Sequence, residues 1–300
     1  MRAERLGIVG LGSMGAPIAR RLALAGFPTT VLDRDEGRMR ALEGTPHLSL
    51  AADLEELERE ADILLTCLPS EKAVLEVAAA LRRPGLLVAD LSTIRPTTAR
   101  RLHAELTARG IRHVECPMIE GVARAEARTL FLLVSGEPAD IERIRPLLPV
   151  IGSEHRIVGC PGAASRIKCV QNGLGLVQLA AMAEALTLVA ADGGDLDRFV
   201  EVVAGAGGMA ASPLFRAAAP RMREPAPEPA ERLRIGAKDS VLAEGLAEEL
   251  GLDLPLFRRT AELFRAALGQ GLGEADIAAI ARALERETGI RLARADDAPR

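Results

Sequence analysis

The sequence predicts an α/β fold in two parts: a doubly wound, mainly parallel sheet over residues 1–163 and an all-α domain over residues 164–294, with a flexible tail at 295–300. Three observations carry this. Short apolar runs alternate with helical stretches through the first half of the chain. A glycine-rich turn separates the first run from the first helix. No convincing strand is readable after residue 163.

In order, RLGIVG (5–10) is a short apolar run ending in glycine, and PIARRLALAGF then shows helical periodicity closed by Gly26. TTVLD is a second strand ending at Asp33. Further strands are predicted at 61–69, 85–92, 112–118 and 129–136, with helices near 36–44, 71–82, 96–110 and 137–147. Alternating units of this kind specify a parallel sheet. Beyond residue 163, helices are expected at 164–192, 195–205, 212–223, 229–250, 255–269 and 273–287. REPAPEPAE (223–231) reads as a Pro- and Glu-rich loop.

Three hundred residues exceed the usual single core, and 48% hydrophobic with 27% charged residues suit a folded chain with a large interior. A net charge of −4 without a basic cluster argues against nucleic acid, and the absence of Trp and Tyr removes any aromatic platform for bases. Cys67, Cys116, Cys160 and Cys169 have no metal-ligand spacing and read as reduced, mostly buried thiols of a cytoplasmic protein. The apolar stretch 173–191 is interrupted by Gln178 and Glu184, so no membrane span is expected. His47, His103, His113 and His155 are expected in scattered loop or helix positions and receive no role.

GLGSMG places Gly10, Gly12 and Gly15, with Ser13 and Met14 between the last two, directly after a strand and before a helix. The first glycine permits a tight turn, the second lets the backbone approach a pyrophosphate, and the third lets helix and strand pack closely, the arrangement of a Rossmann dinucleotide site. The N–H groups and dipole at the helix start favour phosphate charge. Asp33 lies 23 residues after Gly10, where it would accept from the adenosine ribose hydroxyls and favour NAD. Arg34 follows immediately and keeps NADP open.

Only three of the 38 basic residues are lysines: Lys72, Lys168 and Lys238. A solvated charge in this chain is by default Arg, so a lysine is expected where a compact ammonium must lose its proton. Lys72, in the polar start of a helix, reads as a surface residue. Lys168 and Asn172, four apart in a long predicted helix at the junction of the two domains, share one face. Cys169 points elsewhere and is expected in the core.

GIVGLGSMGAPIARRLALAG, CLPS, DLSTIRP, ECPMIEGVARAEARTLFLLVSG, PGAASRIKCVQN and IGAKDSVLAEGLAEELGLDLPL follow one another over nearly the whole chain. In this order the segments resemble the β-hydroxyacid dehydrogenase family. The resemblance implies hydride transfer between NAD(P) and a small hydroxy acid or semialdehyde, with Lys168 as general acid/base and Asn172 orienting it and the substrate. It also implies cofactor contacts from Leu68, Pro69, Ser92, Thr93 and Lys238, and a homodimer or homotetramer. Gln171 stands where the family usually has asparagine.

The substrate motif departs from the family's D-A-P-V-S-G-G. The aligned run is Glu115, Cys116, Pro117, Met118, Ile119, Glu120 and Gly121, so Ile119 removes a hydroxyl and Glu120 brings a negative charge where an anion should sit. One reading keeps a small acid as substrate, anchored by Gly121, Lys238 and Arg124. The other takes an apolar or cationic group against Ile119 and Glu120. An imine or other carbonyl reductase and a dinucleotide-binding sensor without turnover are the alternatives. Retained Lys168 counts against the former, and intact Lys168, Asn172 and Lys238 against the latter. As acid/base, an unperturbed Lys near 10.4 needs its pKa lowered by roughly 2–3 units.

Overall fold

The computed structural model describes residues 4–119, 130–205, 209–224 and 226–292. The chain divides into two compact units, Met1–Cys169 and Val170–Arg300.

The first unit is built on one nine-stranded sheet: β1 Leu6–Val9, β2 Thr29–Leu32, β3 Leu48–Leu50, β4 Ile63–Thr66, β5 Leu87–Asp90, β6 Arg112–Glu115, β7 Met118–Ile119, β8 Phe131–Gly136 and β9 Glu154–Gly159. The spatial order is β3-β2-β1-β4-β5-β6-β8-β7, with β9 paired to β8. From β3 to β6 every pairing is parallel. The order reverses between β1 and β4, and in open α/β sheets ligands bind beyond the carboxyl ends of the strands at such a switch point.

Strand residues alternate between two cores. Leu6, Ile8, Ile63, Leu65, Leu87 and Ala89 face one side, while Val9, Leu64 and Val88 face the other. Both faces are buried, so these strands read as continuous apolar runs. Among the described residues, helices α1 Gly15–Leu24, α2 Glu36–Arg40, α3 Leu54–Glu60, α4 Glu71–Ala80, α5 Pro96–Ala108, α6 Pro138–Ile144 and α7 Leu148–Ile151 accompany the sheet.

Several expected boundaries move for local reasons. The run 112–118 breaks into β6 and β7 at Cys116-Pro117, because proline cannot donate to a ladder. Helix 137–147 ends before Pro146 and restarts as α7 with Pro149 in its first turn. β8 is antiparallel to both β6 and β7. β3, α3 and β9 were not expected from the sequence; β9 is mostly exposed and so lacks the apolar signature of a buried strand.

Helix α8, Ala163–Ala191, runs across the division between the units. In the second unit it is followed by α9 Leu196–Gly205, α10 Pro213–Arg221, α11 Leu233–Glu249, α12 Pro255–Gly269, a 3₁₀ turn Ile277–Ala279 and α13 Ile280–Thr288. The 3₁₀ turn divides the single helix expected at 273–287, and α11 starts at Leu233, four residues later than its sequence periodicity suggests. With 29 residues and a mean hydropathy of 1.8 over its best window, α8 is by length and composition long enough to cross a bilayer, despite Gln178 and Glu184. Its Leu176, Leu179, Ala183 and Leu186 fill the core of the second unit together with Phe215, Leu263, Phe264 and Ile280, as a core helix does.

Candidate active site

The turn after β1 is shaped by its glycines. Gly10 has φ +96°, and a side chain there would strike the Cys67 carbonyl at the end of β4. A side chain on Gly15 would strike the Gly10 carbonyl, so α1 can approach β1 only with glycine at that position. A Cβ on Gly12 would meet no protein atom within 4 Å, so protein packing alone does not require glycine there. Helix α1 starts after Met14 with no side-chain cap, and Ser13 is exposed beside it. The uncapped helix start and the open space over Gly12 fit a dinucleotide pyrophosphate.

Asp33, at the end of β2, has a second task that sequence reasoning missed. Its Oδ2 accepts the Leu11 N–H at 2.6 Å and its Oδ1 the Asp35 N–H at 2.9 Å, so the carboxylate braces the glycine turn. The Arg38 guanidinium lies 3.7 Å from Oδ2. Arg34 is exposed. Arg20, Arg21 and Arg38 line a cavity of about 450 Å³ beside Leu11 and Ala16.

The loops after β4 and β5 are tied together. Ser92 Oγ accepts the Leu68 N–H at 3.0 Å, while Asp90 Oδ1 accepts from the Thr66 hydroxyl and the Ser92 N–H. Ser92 is buried, Leu68 and Thr93 are half-buried, and Pro69 is exposed. Ile119 ends β7 opposite Phe131. Glu120, Gly121 and Arg124 lie outside the described residues.

Lys168 is nearly buried in the second turn of α8. Cys169 beside it is buried as expected, whereas Cys160 is exposed. Burial, with Asp90 adding to it, pushes the Cys116 thiol up to about 12, so it is no nucleophile at neutral pH. His155 lies on strand β9, contrary to the loop or helix position expected for it, and His113 lies on β6, inside the strand predicted at 112–118. Among the described residues no group of three His, Cys, Asp or Glu could hold a metal ion.

In the second unit, Asn172 Nδ2 donates to Asp239 Oδ2 at 2.6 Å. Lys238 Nζ lies 2.9 Å from Asp239 Oδ1, at an angle that makes an ion pair without a hydrogen bond. The helices can approach because glycines face side chains across them. A Cβ on Gly173 would collide with Ala243 and Phe257, and one on Gly236 with Ile277 and Phe264. Asp239 was named in the sequence only as the neighbour of Lys238; its link to Asn172, 67 residues away, has no sequence signal.

A parallel sheet with a dinucleotide turn at its switch point, followed by a helical unit, defines an NAD(P)-dependent oxidoreductase. The sequence model for the NAD binding domain of 6-phosphogluconate dehydrogenase matches residues 5–162, and that for the NAD-binding domain of NADP-dependent 3-hydroxyisobutyrate dehydrogenase matches residues 162–284. The chain belongs to the β-hydroxyacid dehydrogenase family. It is 30% identical over 298 residues to the NAD-dependent L-serine dehydrogenase of Pseudomonas aeruginosa, covering 95% of this chain and 99% of that one. It is 30% identical over 295 residues to the 3-sulfolactaldehyde reductase of Escherichia coli, covering 95% and 97%. A solved structure of Mycobacterium tuberculosis 3-hydroxyisobutyrate dehydrogenase with L-serine superposes with a TM-score of 0.84 at 25% identity, covering 94% and 99%. The chain is thus an NAD(P)-dependent dehydrogenase or reductase.

Proposed function

We propose that Lys168 is the general acid/base of this dehydrogenase, with Asn172 as its partner one helical turn on. The observation that carries this is a nearly buried lysine in a chain that places arginine at all but three basic positions. The nicotinamide, when bound, supplies or accepts the hydride. Lys168 Nζ gives a proton to the carbonyl oxygen as negative charge grows there, or removes the hydroxyl proton in alcohol oxidation. Gly10, Gly12, Ser13, Met14 and Gly15 hold the pyrophosphate. Leu68, Pro69, Ser92, Thr93 and Lys238 are the further cofactor contacts. Asp33 makes NAD the preferred cofactor, and the adjacent Arg34 and Arg38 supply the cations through which NADP would bind; the ratio of the two dissociation constants decides between them. In this reading residues 1–163 bind the dinucleotide and residues 164–294 serve substrate binding and oligomerisation.

Lys168→Ala is expected to lose about 10²–10⁴ in rate with cofactor affinity kept, and Lys168→Arg to lose nearly as much. An arginine variant that keeps most of its activity overturns the proton-transfer role. For the substrate, absorbance at 340 nm with L-serine, 3-hydroxyisobutyrate, glycerate and succinic semialdehyde is the direct test. Turnover of 3-hydroxyisobutyrate, glycerate or succinic semialdehyde shows that a conventional small acid binds despite Ile119 and Glu120, whereas turnover of L-serine alone, with its ammonium, favours the cationic reading.

The enzyme is a cytoplasmic homodimer or homotetramer in this proposal. Val170, Leu174 and Leu188 are exposed along α8 at helical spacing, an apolar stripe that a second copy would cover. Leu174→Glu is expected to lower the molar mass measured by light scattering. An unchanged mass removes this face from the interface.

A further inference from the structure

Glu115 ends β6 and is 1% exposed, yet neither cofactor binding nor proton transfer uses it. Its carboxylate only accepts. Oε1 takes the Ser135 hydroxyl at 3.0 Å and the Gly162 N–H, and Oε2 takes the Ser165 N–H at 3.0 Å and the Ser165 hydroxyl at 2.5 Å. Ser135 Oγ also accepts the Ala164 N–H at 3.1 Å. Three N–H groups at the start of α8 therefore end on side chains from β6 and β8, two strands of the sheet.

A common way to satisfy these orphan groups is a side chain from the residue just before the helix. Such a local cap leaves the helix free to move as a body. A cap from the sheet does not, and charge-assisted bonds from four donors make this one stiff. Ser165 precedes Lys168 by three residues and Ala164 by four, so the clamped turn lies directly beneath the lysine on the same face. β6 belongs to the sheet whose β1 carries the glycine turn.

We propose that Glu115, through Ser135 and Ser165, is a positioning residue that fixes the Lys168 ammonium relative to the dinucleotide-binding sheet. The proposal rests on the acid/base reading of Lys168. Because a misplacement of 1 Å can cost about 10²-fold in rate, a clamp one turn from the reacting amine is a kinetic device. Glu115→Gln keeps the shape but presents an NH₂ group where one oxygen accepted, so it loosens the clamp.

The test uses the full-length protein, the panel substrate with the fastest turnover, and ethylamine as a free base in the Lys168→Ala background. Glu115→Gln is expected to lower kcat at least about tenfold with cofactor affinity unchanged. Ser165→Ala should show a smaller loss in the same direction. In Lys168→Ala rescued by ethylamine, adding Glu115→Gln should leave the rescued rate within about twofold, because a diffusing amine needs no clamp. An equal loss in both backgrounds, or none in either, overturns the positioning role. Full turnover by Lys168→Ala itself would instead defeat the acid/base reading.

A second readout needs no substrate. With lysine labelled at ¹³Cε the chain gives three signals, and that of Lys168 is the one lost in Lys168→Ala. Glu115→Gln should move this signal and leave those of Lys72 and Lys238 in place. If the Lys168 signal stays where it was in a variant that melts like the parent, Glu115 does not position it.

Discussion

Asp239 joins two side chains that sequence alone treats separately. It is buried in α11, accepts from the Asn172 amide and stands against the Lys238 ammonium. Replacing it with alanine leaves a half-buried amide without an acceptor and a cation without its counter-charge. Asp239→Ala is therefore expected to destabilise the protein by about 1–3 kcal/mol, read from urea denaturation. A midpoint within error of the parent would show that water replaces the carboxylate at no cost. Lys168 was legible because lysine is scarce in this chain and its helix can be read locally. Asp239 and Glu115 were not, since each acts on a residue at least 47 positions away in sequence.

The glycine turn is the element that the sequence described best, and the structure separates the duties of its three glycines. Gly10 and Gly15 are required by the protein's own backbone, while Gly12 borders open space. Gly12→Ala should accordingly melt within about 0.5 kcal/mol of the parent, the usual range for a substitution that meets no protein atom. Its cofactor affinity, measured by nicotinamide fluorescence titration, should nonetheless fall. Gly15→Ala should lose both stability and cofactor. If Gly12→Ala binds the cofactor as the parent does, the pyrophosphate does not lie over that residue. Other elements were legible in proportion to their local signals. α5, α8 and α12 were placed to within two residues from periodicity and their proline or glycine ends. β3 has three residues and β9 lies largely in solvent, and neither carries enough apolar pattern to be seen.

At the scale of the molecule, each unit has its own core, and the first contains a group that links its stability to pH. His113 is fully buried on β6, and neither ring nitrogen meets a hydrogen-bond partner among the described residues. Its ring centroid lies 5.9 Å from that of His103. Burial pushes the imidazole from 6.5 down to about 4; Glu115 opposes this and His103 adds to it. Between these two values the unfolded chain takes up a proton that the folded chain refuses, so the unfolded state binds more protons there. Stability is then fully present above pH 6.5, falls as the pH drops through that window, and loses no more from this group below about 4. A shift of this size corresponds to a total on the order of 3 kcal/mol, a large share of the 5–15 kcal/mol that holds a typical domain. His113→Leu removes the titrating ring while keeping an apolar side chain of similar bulk. Urea denaturation at half-unit steps from pH 4 to 8 should give a steeper acid fall for the parent than for His113→Leu, with the difference closing above pH 7. Parallel curves across the whole range would mean that the folded chain protonates His113 as readily as the unfolded one, and that its burial carries no cost in acid.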